Sequence, residues 1–427
     1  MESITVFAEN GFEANGKKLL GNSNETSNIL LCVPFIEDKY IIKNNLEDIH
    51  NFEFVLYPFR FIYPYQFHYE KILSRLFENE HILNKLRDNK NNFYLFIYMP
   101  TEGFSFDKLN KIVIDGLNKL VYDKGIPGNK ILICWGDYNI QKTVIEVYYN
   151  DPDFVIPVHN FFSYDHFEYV SRQASLNYDA KYKVVNKQLK NYGVLKTGNL
   201  RSQRAYFLAI LNHKRLLDKF FYSVIDPGKL GETLNKPSTF LAVSEFLTNK
   251  NHKYIKEDLF NSYIEVYKNT PIVLDTNNFD DSYLNKPIFD SNIMNQSAFE
   301  LVIESEVDIN NRGILYLTEK TYNTFTYKFP FLLVSSYGAY RHLHKKGYVT
   351  FPELFDESFD TIEECDVRME YILKSMEKFL NTPLSRIEQI INSDYFKNKL
   401  LHNYNNLMLS KDDESSFIKF LNNIKKN

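Results

Sequence analysis

Short apolar runs alternate with stretches of helical period along the first half of the chain, the pattern of a parallel sheet whose strands are joined by crossover helices. The strongest unit opens with Phe93 to Met99 and turns through Pro100, Thr101, Glu102 and Gly103. It continues as a predicted helix with Ser105 as N-cap, and Phe106, Leu109, Val113, Leu117 and Leu120 share one face of it. Gly125 and Pro127 end that helix. A second run, Ile131 to Trp135, leads into a polar turn at Gly136, Asp137 and Asn139, then a helical stretch, then a third run from Phe154 to Val158. Phe52 to Tyr57 and Ile29 to Phe35 add candidate strands. The whole reads as a Rossmann-like domain over residues 1–185.

The segment Asp179 to Asn191, rich in Lys, Asn and Tyr, predicts a linker. From Tyr192 the same grammar repeats, which predicts a second Rossmann-like domain over residues 190–427. Its strands are expected at Gly193 to Lys196, Phe220 to Val224 and Phe299 to Ile303, and the helix after the first of them carries Arg201 and Arg204 near its start. The helical stretch after Ser385 is expected to pack back across the hinge. Two α/β halves facing across a cleft offer a natural place for a ligand.

Composition narrows the function classes. A length of 427 residues suits two domains, and 44% hydrophobic residues against 24% charged supply packed cores. Lys plus Arg number 50 against 54 Asp plus Glu, so no global basic excess draws the chain to phosphate polymers. The 36 Phe and 31 Tyr are not interleaved with basic residues in any one segment, which assigns most rings to the core. Cys32, Cys134 and Cys365 lie far apart and form no CxxC pair, so neither a zinc site nor a disulfide framework is expected, and a reducing compartment fits. The start of the sequence has no basic and apolar leader, and no run approaches the roughly 20 apolar residues of a membrane span. The expectation is a cytoplasmic protein without a membrane span.

Candidate chemistry concentrates between Ser297 and Gly347. An apolar strand ends in Glu304 and Ser305; after a polar loop comes Tyr316-Leu-Thr318-Glu319-Lys320, and then a helix that should stop before Pro330. The predicted strand Phe329 to Val334 follows and leads into Ser335, Ser336, Tyr337 and Gly338. Ligands of open parallel sheets collect beyond the C-terminal strand ends, where helix N-termini point. With Thr318 as N-cap, the first-turn N–H groups and Lys320 favour phosphate, and Glu319 suits sugar or ribose hydroxyls. Arg201 and Arg204 present forks of donors suited to a diphosphate.

Glu304 and Ser305 at the strand end, the Tyr316 to Lys320 signature, the strand after it and the arginine patch resemble, in this order, the C-terminal domain of the fucosyltransferase-like family of inverting GT-B glycosyltransferases. Ser305 stands where that family usually has Asn. The resemblance covers about 199–350. It implies a GT-B-like fold of two Rossmann-like domains, and inverting transfer from a nucleotide-diphosphate sugar, GDP-linked favoured, with no other cofactor and no metal. The donor would be bound by Arg201, Arg204, Glu304, Tyr316, Thr318, Glu319 and Lys320. The acceptor would be a glycan, a lipid-linked sugar or a modified nucleobase, and the general base would come from the N-terminal domain. Glu102, in the turn after Met99, is the candidate on position, with Asp137 next.

Two other readings are carried along. One is a binding protein on the same scaffold without turnover. The other is a metal-dependent GT-A transferase using Asp151 and Asp153, although Pro152 between them favours a plain turn. His342 and His344, two apart on a predicted helix, face different ways and make a poor metal pair.

Overall fold

The computed structural model describes residues 4–7, 40–43, 46–50, 53–60, 80–99, 114–150, 153–178, 183–197, 202–224, 257–269, 272, 291–307, 313–410 and 412–426. The fold is α/β, with one parallel sheet of six strands and a second of four. The chain divides into two compact units, Met1–His166 together with Lys411–Asn427, and Phe167–Ser410.

The first unit holds β1 (Ile4–Phe7), β2 (Tyr40–Lys43), β3 (Val55–Arg60), β4 (Phe93–Met99), β5 (Ile131–Trp135) and β6 (Phe161–Ser163) in the order β2-β1-β3-β4-β5-β6. Between these strands it has the helices α1 (Glu80–Arg87), α2 (Asp115–Tyr122) and α3 (Ile140–Asn150). The chain starts inside the sheet and builds outward both ways, the doubly wound arrangement. Every residue of β5 is buried, which is why this interior strand reads as an unbroken apolar run. Leu117 and Leu120, from the predicted helical face, are buried on α2 and share one core with Val55, Leu95, Ile133 and Leu83.

The run Phe154 to Val158 is not a strand; the strand on that side is β6, paired in parallel with β5 through Ile133 and Phe161. Pro157 has no N–H to place in a ladder. Phe154 and Ile156 are buried while Val155 is exposed, so the run packs without pairing. It lies tight against the turn before β5, where a Cβ on Gly128 would come within 2.4 Å of the Val155 carbonyl oxygen.

The second unit carries α4 (His166–Tyr178, from Phe167 on), β7 (Asn191–Thr197), α5 (Ser202–His213), β8 (Phe220–Val224), α6 (Glu257–Lys268), α7 (Ser291–Asn295), β9 (Ser297–Ile303), α8 (Glu319–Thr326), β10 (Phe331–Val334), α9 (Ala339–Lys345), α10 (Cys365–Leu380), α11 (Leu384–Ile391) and α12 (Asp394–Leu409). Its sheet order is β10-β9-β7-β8, so the reversal of strand order falls between β7 and β9. Gly193 of β7 pairs with Phe220 on one side and Phe299 on the other, and those two rings meet edge to face at 5.8 Å. A Cβ on Gly193 would stand 2.6 Å from the Phe220 ring, so glycine here is a packing requirement.

The expected linker is tied down by hydrogen bonds from Lys187 to Lys190. Gln188 and Lys190 donate their N–H groups to Asn295 and Gln296 carbonyls, Leu189 N–H goes to Glu388, and Asn392 bonds both N–H and C=O of Lys187. Helix α4 is tied to the second unit, where buried Glu168 accepts from Lys346 and Tyr348, and Ser175 bonds Thr326 at 2.8 Å. The compact division therefore falls at residue 166, ahead of the polar segment. The last helix, α13 (Asp412–Lys426), goes with the first unit, where Phe417 packs against Phe96 at 5.8 Å and Phe162 at 5.4 Å. Among the described residues no helix is long and apolar enough to cross a membrane.

Candidate functional site

The C-terminal ends of β7, β9 and β10 lie at one edge of the second sheet, and five of the predicted residues, Arg204, Glu304, Thr318, Glu319 and Lys320, are joined there in one network. Glu304, directly after β9, is 0% exposed. Its Oε1 accepts from Thr318 N–H at 2.9 Å and from the Thr321 hydroxyl at 2.5 Å. Its Oε2 accepts from the Thr318 hydroxyl at 2.5 Å and from Ser305 N–H at 3.3 Å. Four donors on one buried carboxylate tie the first turn of α8 to the end of β9 and leave Glu304 a positioning residue.

Thr318 is the N-cap of α8, as the sequence predicts: its backbone is extended, and its hydroxyl oxygen accepts from Lys320 N–H at 3.4 Å. The Lys320 ammonium donates to Glu319 at 2.7 Å, to Thr318 Oγ1 at 3.1 Å and to Ser305 Oγ at 3.4 Å. The Glu319 and Lys320 side chains are 30% and 29% exposed, so these two charged members of the network are open to a ligand. Burial pushes the Glu319 carboxyl up, but the adjacent Lys320 charge, its hydrogen bonds and the Arg204 charge outweigh that and hold it below the ordinary carboxylate range.

Arg204, near the start of α5, reaches across the sheet's switch point. Its Nε donates to the Ile303 carbonyl at 3.3 Å and its Nη2 to Ser305 Oγ at 3.4 Å, and the residue is 3% exposed. Ser305 thus receives both cations of the site. Gln203, which sequence reasoning did not single out, donates to the carbonyls of Glu304 and Ser305, both at 2.9 Å. Only its place one residue before Arg204 on a helix opening at the switch point hinted at it.

Tyr316 goes to the core, 3% exposed and edge-on to Phe167 at 5.9 Å between ring centres. Arg201, Glu102 and Asp151 lie outside the described residues. Asp137 is buried after β5, where its Oδ1 accepts from Asn139 N–H at 2.9 Å. Asp153 is exposed in a turn, its carbonyl accepting from the Tyr122 hydroxyl at 2.9 Å.

Beyond β10, the turn through Ser335 to Gly338 enters α9, and Asp360 caps that helix from a distance. Its carboxylate takes Tyr340 N–H at 2.9 Å and Arg341 N–H at 3.0 Å. Arg368, 1% exposed, gathers the same edge by donating to the carbonyls of Ser335, Val307, Ile362 and Glu363. The edge is therefore prearranged by buried polar bonds, with a partly exposed acid and base pair at its mouth. No protein-family model, curated protein or solved structure matches this chain.

Proposed function

We propose that the chain is an inverting glycosyltransferase of the GT-B kind, resembling the fucosyltransferase-like family, with its nucleotide-diphosphate sugar held at the C-terminal edge of the second sheet. The observation that carries this reading is the joining of Arg204, Glu304, Glu319 and Lys320 through Ser305 and Thr318 at a strand-order reversal. Such reversals are where open α/β sheets bind nucleotides. Lys320 and the start of α8 supply positive potential for the diphosphate and help it leave; Glu319 accepts from ribose or sugar hydroxyls. Glu304 and Gln203 keep the strand end and helix start in register, as a precise site requires. Arg201 stays a candidate diphosphate ligand, and GDP remains the favoured nucleotide. A glycan, a lipid-linked sugar or a modified nucleobase is the acceptor, and Glu102 is the proposed base, taking the acceptor hydroxyl proton as the glycosidic bond to the diphosphate breaks.

One observation favours a reading without turnover: Arg204 and Glu304 spend their polar atoms on internal bonds. A nucleotide screen followed by donor turnover separates the two. GDP, UDP or CMP should raise the unfolding temperature selectively, by linkage worth about 2.7 kcal/mol at a hundred times Kd. Glu102→Gln should keep that stabilisation while turnover falls by about 100-fold to 10,000-fold. Indifference to all three nucleotides sinks the donor site; selective binding without donor consumption under any acceptor favours the binding protein.

A further inference from the structure

The opposite, N-terminal edge of the second sheet contains a cavity of about 240 Å³ built from the segment before β7, helix α7 just ahead of β9, the turn before β10, and helices α11 and α12. Three lysines line it, Lys183, Lys187 and Lys328, and its described lining contains no carboxylate. Met294, Phe329 and Leu400 supply apolar wall.

Lys187 is the reason to take this cavity as a site. The residue is 8% exposed, and its ammonium donates to the Met294 carbonyl at 2.7 Å and the Ser297 carbonyl at 3.1 Å while lying 3.9 Å from the Phe329 ring centre. These partners are neutral dipoles. They orient the charge but do not cancel it, and a buried charge without a counter-charge costs several kcal/mol. Burial accordingly drives the ammonium well below its ordinary value. A purely structural clasp between two carbonyls could be built from an amide side chain, with no charge to bury.

Lys328 adds a second, independent oddity. It occupies the left-handed position just past the end of α8, with φ of 54°, where Lys328 N–H returns to Phe325 and Phe329 N–H to Thr324. Glycine is the usual residue there, and a side chain costs roughly 1–2 kcal/mol. The sequence accepts that cost and gains a cation on the cavity wall, with Nζ 3.9 Å from the Tyr404 ring centre. Lys183, exposed at the rim, makes no hydrogen bond or ion pair among the described residues.

We propose that this cavity binds a small carboxylate with a short hydrocarbon tail, its head group among Lys187, Lys183 and Lys328 and its tail against Met294, Phe329 and Leu400. A buried ammonium with two further lysines beside it calls for an anionic head group, and Met294, Phe329 and Leu400 form a hydrocarbon part of the wall, which a phosphate ion alone would leave in contact with nothing. The volume lies below the roughly 300–1,000 Å³ of drug-sized pockets, so the ligand is small. The site is at the opposite strand ends from Glu304 and stands or falls apart from the donor reading.

Titration calorimetry on the full chain tests this with octanoate, 1-octanol and inorganic phosphate. Octanoate should bind saturably at one site, and 1-octanol and phosphate should not. Lys187→Met should abolish octanoate binding. Lys183→Ala, at an exposed position that leaves the fold intact, should weaken it about tenfold. Absence of octanoate binding to the wild-type chain overturns the proposal. So does binding undiminished in Lys183→Ala, or phosphate binding as tight as octanoate. Should Lys187→Met not fold, the Lys183→Ala result and the octanol comparison still decide.

Discussion

The two ends of the second sheet treat charge in opposite ways. At the C-terminal edge Lys320 sits 2.7 Å from Glu319, and although burial alone would push that carboxyl up, it is held below its ordinary value. At the N-terminal edge Lys187 has carbonyls and a ring as partners, and burial wins. Glu357, in the turn before the Asp360 cap, repeats the second case with the sign reversed. It accepts from the Thr350 hydroxyl at 2.7 Å and Phe351 N–H at 2.8 Å, while the neighbouring Lys399 is bonded to Glu353 at 2.8 Å. Desolvation raises its carboxyl to about 7. Dipoles hold a buried charge in place, whereas a counter-charge is what offsets its desolvation. A charge already paired can orient a ligand; a charge still unpaired has more to gain from one.

The largest test falls on the paired edge. Glu304→Ala removes four hydrogen bonds from a buried network and leaves Thr318, Thr321 and Ser305 donors without their acceptor. Denaturant unfolding should show a loss of about 3–5 kcal/mol. A loss under about 1 kcal/mol would mean that the first turn of α8 does not depend on this carboxylate.

Glu357 gives the next effect, through pH. Its folded-state value of about 7 lies above the ordinary 4.5, so the folded chain holds the proton more tightly. The stabilisation is complete below pH 4.5 and is lost as pH rises towards 7, to a ceiling of about 3 kcal/mol. Unfolding free energies of the wild type and Glu357→Gln, measured across that window, should diverge: the variant lacks this fall and is the more stable above pH 7. Parallel curves would break the comparison with Lys187.

Smallest is Lys320→Ala, expected to weaken nucleotide-diphosphate binding by about 1.5–3 kcal/mol, the range of a charge-assisted hydrogen bond. Calorimetry with GDP should show it, and octanoate binding at the opposite edge should not change. Unaltered GDP affinity would remove Lys320 from the donor site.

Residues close in sequence carried their own signal. The run Phe220 to Val224 is a strand at the predicted bounds, the apolar run before Glu304 is β9, and Thr318 caps α8 because its hydroxyl is two residues from the N–H it accepts. Such features depend on periodicity and local hydrogen bonding, which are written in contiguous residues. The run around Pro157 misled because apolar content predicts burial but not a partner for each N–H.

What the sequence by itself determined is the α/β grammar, most strands of the second sheet, and the cluster of polar groups from Glu304 to Lys320. Only the tertiary structure decided that Glu304 is a buried anchor, that Tyr316 is core, that residues 187–190 are tied down by hydrogen bonds, and that α13 belongs with the first unit. It alone brought Lys187 and Lys328, 141 positions apart in sequence, to one cavity. The physical reason is distance along the chain: a side chain's chemistry follows from which groups remove its water, and those groups come from segments that local pattern cannot pair.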